Sequence, residues 1–144
     1  MSRRLGPAPP ATSAAVSHTM RANKGKDTGP ERALRKLLRQ AGYPGYRLHW
    51  GRVPGHPDIA YPGRKVAVFV HGDFWHRCPR CKPPLPKTNR DFWARKFALN
   101  VERDKRKVDA LEELGWTVLV VWECELRDDP DAVVALLTDV LQNS

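Results

Sequence analysis

Residues 71–81 are of the types that bind metals and transfer protons. Two imidazoles, a carboxylate, two thiols and two large aromatic rings fall within these eleven positions. They directly follow residues 66–70, VAVFV, a pattern typical of a buried strand. Each side chain alone has an ordinary structural explanation, but a core strand needs none of these groups, and the end of a buried strand is a common place for a site. We therefore interpret as one site His71, Asp73, Phe74, Trp75, His76, Cys78 and Cys81.

The cysteine spacing indicates a metal site. Cys78 and Cys81 form a C-x-x-C pair, the spacing at which two thiolates share one zinc ion. Cys124 follows a second apolar run, residues 117–121, so three thiols converge if the two strands are neighbours. The alternative is three unpaired thiols, two of them exposed; because exposed thiols are a chemical liability, we favour a structural zinc site that pins a loop. The fourth ligand stays open between Asp73, His76 and His71.

The overall composition favours a polyanionic partner. The chain has 144 residues, enough for one compact domain, and 41% of them are hydrophobic. A net charge of +9 points to nucleic acid first. We expect neither a membrane span nor a secretory signal, because no apolar run is long enough. Three cysteines without an export signal favour metal binding over a disulfide framework.

The N-terminal segment is basic and of low complexity. Residues 1–17 are rich in Ala, Pro, Ser and Arg and are predicted to be a disordered tail, which leaves 18–144 as one domain. Residues 18–28 are either a solvated linker or an arm that lies along DNA phosphates. In the second case, Arg21 and Lys24 are candidate DNA contacts.

The first half of the domain predicts a helix and a hairpin. A helix is expected from about Thr28, with Glu31 in its first turn, to Gly42. A short strand over residues 46–50 comes next. A second strand begins near Asp58 and turns at Pro62-Gly63 into the buried strand. This antiparallel hairpin is expected to bring Asp58 beside Val70 and His71.

The second half predicts a crossover unit. Asn89 is expected to cap a helix that starts at Arg90, breaks near Asn100 and ends at Gly115. A strand over residues 116–122, with its apolar run at 117–121, follows, so part of the sheet should be parallel. A last amphipathic helix is expected over residues 130–141. The predicted apolar stripe of the long helix is Phe92, Trp93, Phe97, Val101, Val108, Leu111 and Leu114.

The sequence has the layout of the PD-(D/E)xK nucleases, because Asp58 lies near a strand start and the polar residue His71 lies two places after Phe69. Those enzymes normally have an acid and a lysine at the positions that Phe69 and His71 occupy in this chain. Further segments are Thr19-Met20-Arg21, Asp27-Thr28 with Glu31, Pro54-Gly55-x-Pro57-Asp58, Val70-His71-Gly72-x-Phe74-Trp75-His76, Asn89-x-x-Phe92-Trp93-x-x-Lys96, Asn100-x-x-Arg103-Asp104, Leu114-Gly115-Trp116 and Val121-Trp122-Glu123-Cys124. Across roughly residues 18–127, these segments resemble the very short patch repair (Vsr) endonucleases, strand-specific nickases that act at T:G mismatches.

The resemblance implies a restriction-endonuclease-like α/β fold, with a mixed central sheet flanked by helices, and a set of catalytic roles. Asp58, helped by the main-chain carbonyl of Val70, would hold Mg²⁺. His71 would activate the attacking water and His76 would protonate the leaving oxygen, since histidine serves as either acid or base near neutral pH. Glu31 would orient the imidazole chemistry. The products would carry a 5′-phosphate and a 3′-hydroxyl.

The resemblance also implies binding roles. Phe74, Trp75 and Trp93 would wedge into the base stack beside the mismatch. Many members carry a cysteine zinc ligand at position 73, where this chain has aspartate. The implied partners are T:G-mismatched duplex DNA and mismatch-repair proteins, for a monomer in the cytoplasm, associated with the nucleoid. The implied zinc ligands are Asp73, Cys78, Cys81 and Cys124.

Two other functions remain alternatives. One is a PD-(D/E)xK-type nuclease without mismatch specificity, and the other is an inactive, zinc-stabilised DNA-binding module. The presence of Asp58, His71 and His76 argues against an inactive site. The candidate wedge aromatics argue against a general nuclease.

Overall fold

The computed structural model describes residues 28–144, which form a mixed four-stranded sheet flanked by helices. The predictions for residues 1–27, including the roles of Arg21 and Lys24, lie outside the described residues. The strands are β1 (Arg47–Leu48), β2 (Ile59–Tyr61), β3 (Val66–His71) and β4 (Thr117–Trp122). The α-helices are α1 (Gly29–Gln40), α2 (Arg90–Glu113), α3 (Glu123–Asp128) and α4 (Pro130–Gln142).

The sheet order is β1-β2-β3-β4, with the first three strands antiparallel and β3 parallel to β4. The predicted hairpin and the predicted crossover through a long helix are therefore both confirmed. The hairpin turn is a short 3-10 helix, Pro62–Arg64, and Lys65 closes it in the left-handed region at φ 53°. In the parallel pair, His71 lies opposite Trp122, so the two strands end together.

The central strand β3 is buried along its whole length because both of its faces are covered. Its side chains alternate between two cores, as the two-residue period of a strand requires. One core combines Val66, Val68 and Val70 with leucines of α1 and α4. The other combines Ala67 and Phe69 with residues at the end of α2 and with Trp116. This double cover makes β3 a rigid base for the residues that follow it.

The first helix starts as its sequence predicts. The Thr28 hydroxyl accepts a hydrogen bond from the Glu31 backbone N–H at 3.4 Å, and Pro30 occupies the first turn. The helix ends at Gln40, and Gly42 lies just beyond it at φ 93°. Glu31 is thereby fixed on the side that faces the sheet, where it is only 4% exposed.

Several details of α2 differ from expectation. The predicted break near Asn100 is wrong, since the helix continues for 24 residues. Asn100 stays inside it, and its amide donates to the Trp75 carbonyl at 3.4 Å. Asn89 precedes the helix as predicted but makes no side-chain cap bond. Two predicted stripe residues, Val101 and Leu114, are exposed by 46% and 53%.

One helix is absent from the sequence-based expectations. Residues after β4 form α3, whose first turn carries Cys124, completely buried. The Glu125 carboxylate accepts the Trp122 backbone N–H at 3.0 Å and so starts this helix at the very end of the strand. The helix is only six residues long, too short to give a recognisable apolar period.

Candidate active site and metal site

A cleft of about 680 Å³ opens where β3 ends, between α1 and α2. It gathers groups that come from several separate parts of the chain, which is the arrangement expected of a site built on a rigid sheet. It also contains three polar groups for which the sequence predicted no role in the site, namely His49, Asn100 and Asp104. The predicted residues that line it are Glu31, Asp58, Val70, His71, Trp75 and His76.

Asp58 lies where the hairpin geometry predicts. Its Oδ2 accepts the Val70 backbone N–H at 2.8 Å, because the residue preceding β2 falls opposite the end of β3. Burial raises the pKa of this carboxyl, while the Val70 N–H and the nearby His49 and His76 oppose the rise. A carboxylate held in this way has a fixed direction and a partly uncompensated charge, which suits a metal ligand.

His71 ends β3 and is only 6% exposed. Burial lowers its pKa to about 4, and the neighbouring His76 contributes to this lowering. The two imidazole rings stack, with centroids 4.0 Å apart and planes 4° from parallel. Within residues 28–144, its Nδ1 has no hydrogen-bond partner. His71 is therefore a neutral imidazole at neutral pH, able to accept a proton.

His76 is held from the opposite side by α2. Its Nδ1 lies 2.6 Å from Asp104 Oδ2, so Nδ1–H donates to the carboxylate. Proton transfer by His76 would therefore use Nε2. Asp104 is mostly buried, with 14% of its side chain exposed. Asp104 belongs to a segment that resembles the Vsr endonucleases, Asn100-x-x-Arg103-Asp104, and its position in the helix is a second signal. It falls four residues after Asn100 and seven after Phe97, on the inward face of the helix, where a carboxylate is unusual.

Glu31 and Asp58 share a third imidazole, that of His49. His49 Nε2 lies 3.4 Å from Glu31 Oε2, and His49 Nδ1 lies 3.7 Å from Asp58 Oδ1. The imidazole beside the predicted positioning acid Glu31 is thus His49. Nothing in the local sequence pattern marks this residue, because a lone histidine after a short strand is most often a surface group.

The predicted wedge aromatics form one cluster. Trp75 packs at ring distances of 5.3 Å from Phe74 and 6.0 Å from both Trp93 and Phe97. Trp93 and Phe97 are each 3% exposed, so they belong to the interior. Trp75 is half-buried and lines the cleft. Of these rings, it is Trp75 that faces the space where a ligand would sit.

The predicted zinc ligands also converge. One atom from each lies within 4.8 Å of the others, and Cys78 Sγ is 3.7 Å from Cys124 Sγ. Tetrahedral zinc with Zn–S bonds near 2.3 Å places its sulfurs about 3.8 Å apart, so these residues fit the ion. Asp73 Oδ1 also accepts the Cys124 backbone N–H at 3.3 Å. The two candidate histidines group elsewhere, with Asp104, which leaves the set Asp73, Cys78, Cys81 and Cys124.

Cationic side chains of α2 line the cleft beside these groups. Lys96, Arg103 and Lys107 recur at spacings of seven and four residues, so they project from one side of the helix. Such a row attracts a phosphate backbone without reading its sequence. Within residues 28–144, no helix has the length and apolar character needed to cross a membrane.

Comparison with known proteins places the chain in a family. The family described as "DNA mismatch endonuclease Vsr" matches residues 11–82. The DNA mismatch endonuclease Vsr of Escherichia coli (strain K12) is 39% identical over 126 residues, 88% of this chain and 80% of that protein. The Type II nicking enzyme V.XorIIP of Xanthomonas oryzae pv. oryzae is 44% identical over 127 residues, covering 88% and 92%. The Type II nicking enzyme V.NaeI of Lentzea aerocolonigenes is 43% identical over 137 residues, covering 92% and 82%. The chain therefore belongs to the Vsr DNA mismatch endonuclease family and is a DNA-cleaving hydrolase.

Proposed function

We propose that this protein is a Mg²⁺-dependent, strand-specific endonuclease that nicks duplex DNA at T:G mismatches, on a restriction-endonuclease-like fold. The observation that carries the proposal is the convergence of a fixed carboxylate, Asp58, with the stacked pair His71 and His76 in one cleft. A phosphodiester needs charge neutralisation, a base and an acid, and this cleft offers a group for each. Its products would be a 5′-phosphate and a 3′-hydroxyl.

The oxygen atoms around Asp58 suit Mg²⁺. Asp58 Oδ2 is taken by the Val70 N–H, so Oδ1 and the Val70 carbonyl are the protein groups that would hold the ion. Mg²⁺ prefers such hard oxygen donors, few in number, with water as its other ligands. When bound, it would offset the charge that develops on the phosphate. A cation here also lowers the cost of keeping the Asp58 carboxylate ionised in a buried place.

The histidine pair divides the proton transfers. The rings stack with their centroids 4.0 Å apart, so a positive charge on His76 disfavours protonation of His71. Burial lowers the pKa of His71 and keeps its ring neutral, while the Asp104 carboxylate accepts a hydrogen bond from Nδ1–H of His76 and orients that ring. His71 is therefore the base that takes a proton from the attacking water. His76 is the acid that gives one to the leaving oxygen, with Asp104 holding its ring.

Specificity for the mismatch is assigned to the aromatic cluster. Trp75 lies at the cleft and rests on Trp93, which is buried. A side chain inserted into the base stack must unstack a step, and a T:G wobble pair is expected to yield more easily than a Watson–Crick pair. Trp75, flanked by Phe74, is the proposed wedge, and Trp93 is its support.

Replacing Trp75 with alanine is expected to lower the nicking preference for T:G over T:A by about tenfold while the protein stays folded. Trp93→Ala is the matched control, because truncating a buried tryptophan should cost about 3–5 kcal/mol of unfolding free energy. Thermal melting and paired nicking rates separate the two effects. A Trp75→Ala protein that melts far lower but keeps its preference would make Trp75 a core residue only.

The nicking assay that tests the function uses one duplex carrying T:G, T:A or C:G at the same position, with and without Mg²⁺. Nicking at T:G alone, and only with the ion, is the expected result. Equal nicking of all three duplexes would indicate a nuclease without mismatch specificity. Binding without nicking at any divalent cation concentration would indicate an inactive binding module.

A further inference from the structure

His49 occupies the space between the buried acid Glu31 and the partly buried acid Asp58. Its ring nitrogens lie 3.4 Å from Glu31 Oε2 and 3.7 Å from Asp58 Oδ1. Only 17% of the His49 side chain and 5% of that of Glu31 is exposed. Three groups able to ligate a metal therefore face one another at the wall of the cleft, apart from the stacked histidine pair.

The backbone holds His49 in this place in a conformation that is unfavourable in energy. Its N–H donates to the Asp58 carbonyl at 3.1 Å, which continues the register of β1 and β2 by one residue. Its φ of 45° lies in the left-handed region, which is unfavourable for a residue other than glycine. Strain of this kind persists where the surroundings over-determine the conformation, and it clusters at functional sites. Here the strained residue is the one that directs an imidazole toward Asp58.

The distances suit shared ligation. One donor atom each of Glu31, His49 and Asp58 lies within 4.8 Å of the other two. Ligands about 2.1 Å from an octahedral ion stand about 3 Å from their neighbours and about 4 Å across it, so small side-chain shifts close the set around one ion. Asp58 Oδ1 faces His49 because Oδ2 is held by Val70.

We propose that His49 supplies a nitrogen ligand to the divalent cation held by Asp58 and that Glu31 completes this side of the site. The inference rests on the proposed function in placing a cation at Asp58. Its consequence is selectivity, since imidazole favours first-row transition ions, whereas Mg²⁺ prefers oxygen donors alone. The site then binds Mn²⁺ more tightly than Mg²⁺ and keeps Mg²⁺ as a working ion of lower affinity.

The test measures Mn²⁺ binding to the full chain without DNA, by electron paramagnetic resonance, with Mg²⁺ as competitor. Bound Mn²⁺ is expected to show nitrogen hyperfine coupling from a directly ligated imidazole. In His49→Gln this coupling should vanish, and the Mn²⁺ dissociation constant should rise about tenfold while that for Mg²⁺ changes less than about threefold. The thiolate cluster is left undisturbed, because Mn²⁺ is a poor ion for sulfur ligands.

The matched control is His56→Gln. His56 is exposed, lines the same cleft and has nearly the same φ, 46°, but lies outside the ligating group. The His56→Gln protein should keep both the nitrogen coupling of bound Mn²⁺ and the wild-type ratio of Mn²⁺ to Mg²⁺ affinity. A wild-type Mn²⁺ spectrum without nitrogen coupling would overturn the inference whatever the variants do. A His49→Gln protein that melts lower but keeps the wild-type preference for Mn²⁺ would overturn it as well.

Asp58→Asn separates this inference from the function on which it rests. If that variant loses Mn²⁺ binding and nicking while His49→Gln keeps its coupling and selectivity, only the role of His49 is wrong. If Asp58→Asn still binds the ion and nicks at T:G, the cation is not at Asp58, and the proposed catalytic site fails with it.

Discussion

Replacing Asp58 with asparagine is expected to lower nicking at T:G by about a thousandfold or more, while the affinity for duplex DNA changes by less than about threefold. The reason is that the substitution removes a charge but little else. The amide oxygen still accepts the Val70 N–H, so the hairpin keeps its register. General DNA affinity is expected to come from lysines and arginines such as Lys96 and Arg103, which line the cleft and which the change leaves in place.

Stability gives this variant a second readout. Burial raises the pKa of Asp58, which means that the folded state is an unfavourable place for its charge. A neutral amide should therefore leave the melting temperature unchanged or higher, as is common when a catalytic group is removed. The control is Asp109→Asn, an exposed acid of α2 that pairs only with Lys105 among its described neighbours. Full nicking by Asp58→Asn in Mg²⁺ would refute the assignment.

The elements that depend on local sequence patterns could be predicted from the sequence. The buried run before His71 marked β3, and the Thr28 cap marked the start of α1. The hairpin followed from a short connection between two apolar segments, and it correctly brought Asp58 to the end of β3. Binary pattern and turn chemistry act over a few residues, so one sequence carries them in full.

The parts that local patterns do not reveal depend on contacts between distant segments. Asparagine is a poor helix former, which favours a break at Asn100, but its amide bonds the Trp75 carbonyl and keeps it in α2. The contact of Asp104 with His76 forms only because α2 brings together two residues that are 28 positions apart in the sequence. His49 likewise becomes notable only once β1 lies against β2. Tertiary packing, absent from any local pattern, decides each of these.

The loop between β3 and α2 needs more than packing to hold its shape. Residues 72–89 contain turns but no helix or strand. Several contacts attach the loop, among them the Asp73 N–H to Glu123 Oε1 at 3.1 Å and the Arg77 guanidinium, 4.3 Å from the centre of the Phe97 ring. It nevertheless carries His76 and Trp75, which must be placed accurately for the proposed chemistry. A structural zinc ion at Cys78 and Cys124 would make the loop more rigid.

Replacing Cys124 with alanine is therefore expected to reduce the zinc content from about one ion per chain to near zero and to lower the unfolding free energy by at least about 4 kcal/mol. Cys124 is fully buried in the first turn of α3, so its thiolate would be the ligand that ties this helix to the loop. Val133→Ala is the control for packing alone, since Val133 is also buried nearby in α4 and should melt lower without losing zinc. Metal analysis and thermal melting of reduced protein make the measurement.

Asp73→Cys tests the same zinc site by strengthening it. It replaces the aspartate of this chain with the cysteine that the resemblance implies at this position. A fourth thiolate should bind zinc more strongly than a carboxylate, so loss of the ion to a chelator is expected to slow by about tenfold. The gain is reduced by the loss of the Asp73 Oδ1 bond to the Cys124 N–H. Because a closed site has no open position for substrate, nicking by the zinc-loaded variant should stay near the wild-type rate. Freshly prepared, reduced wild-type protein that contains no zinc, or an Asp73→Cys protein that loses the ion faster than wild type, would show that these four residues do not form the site.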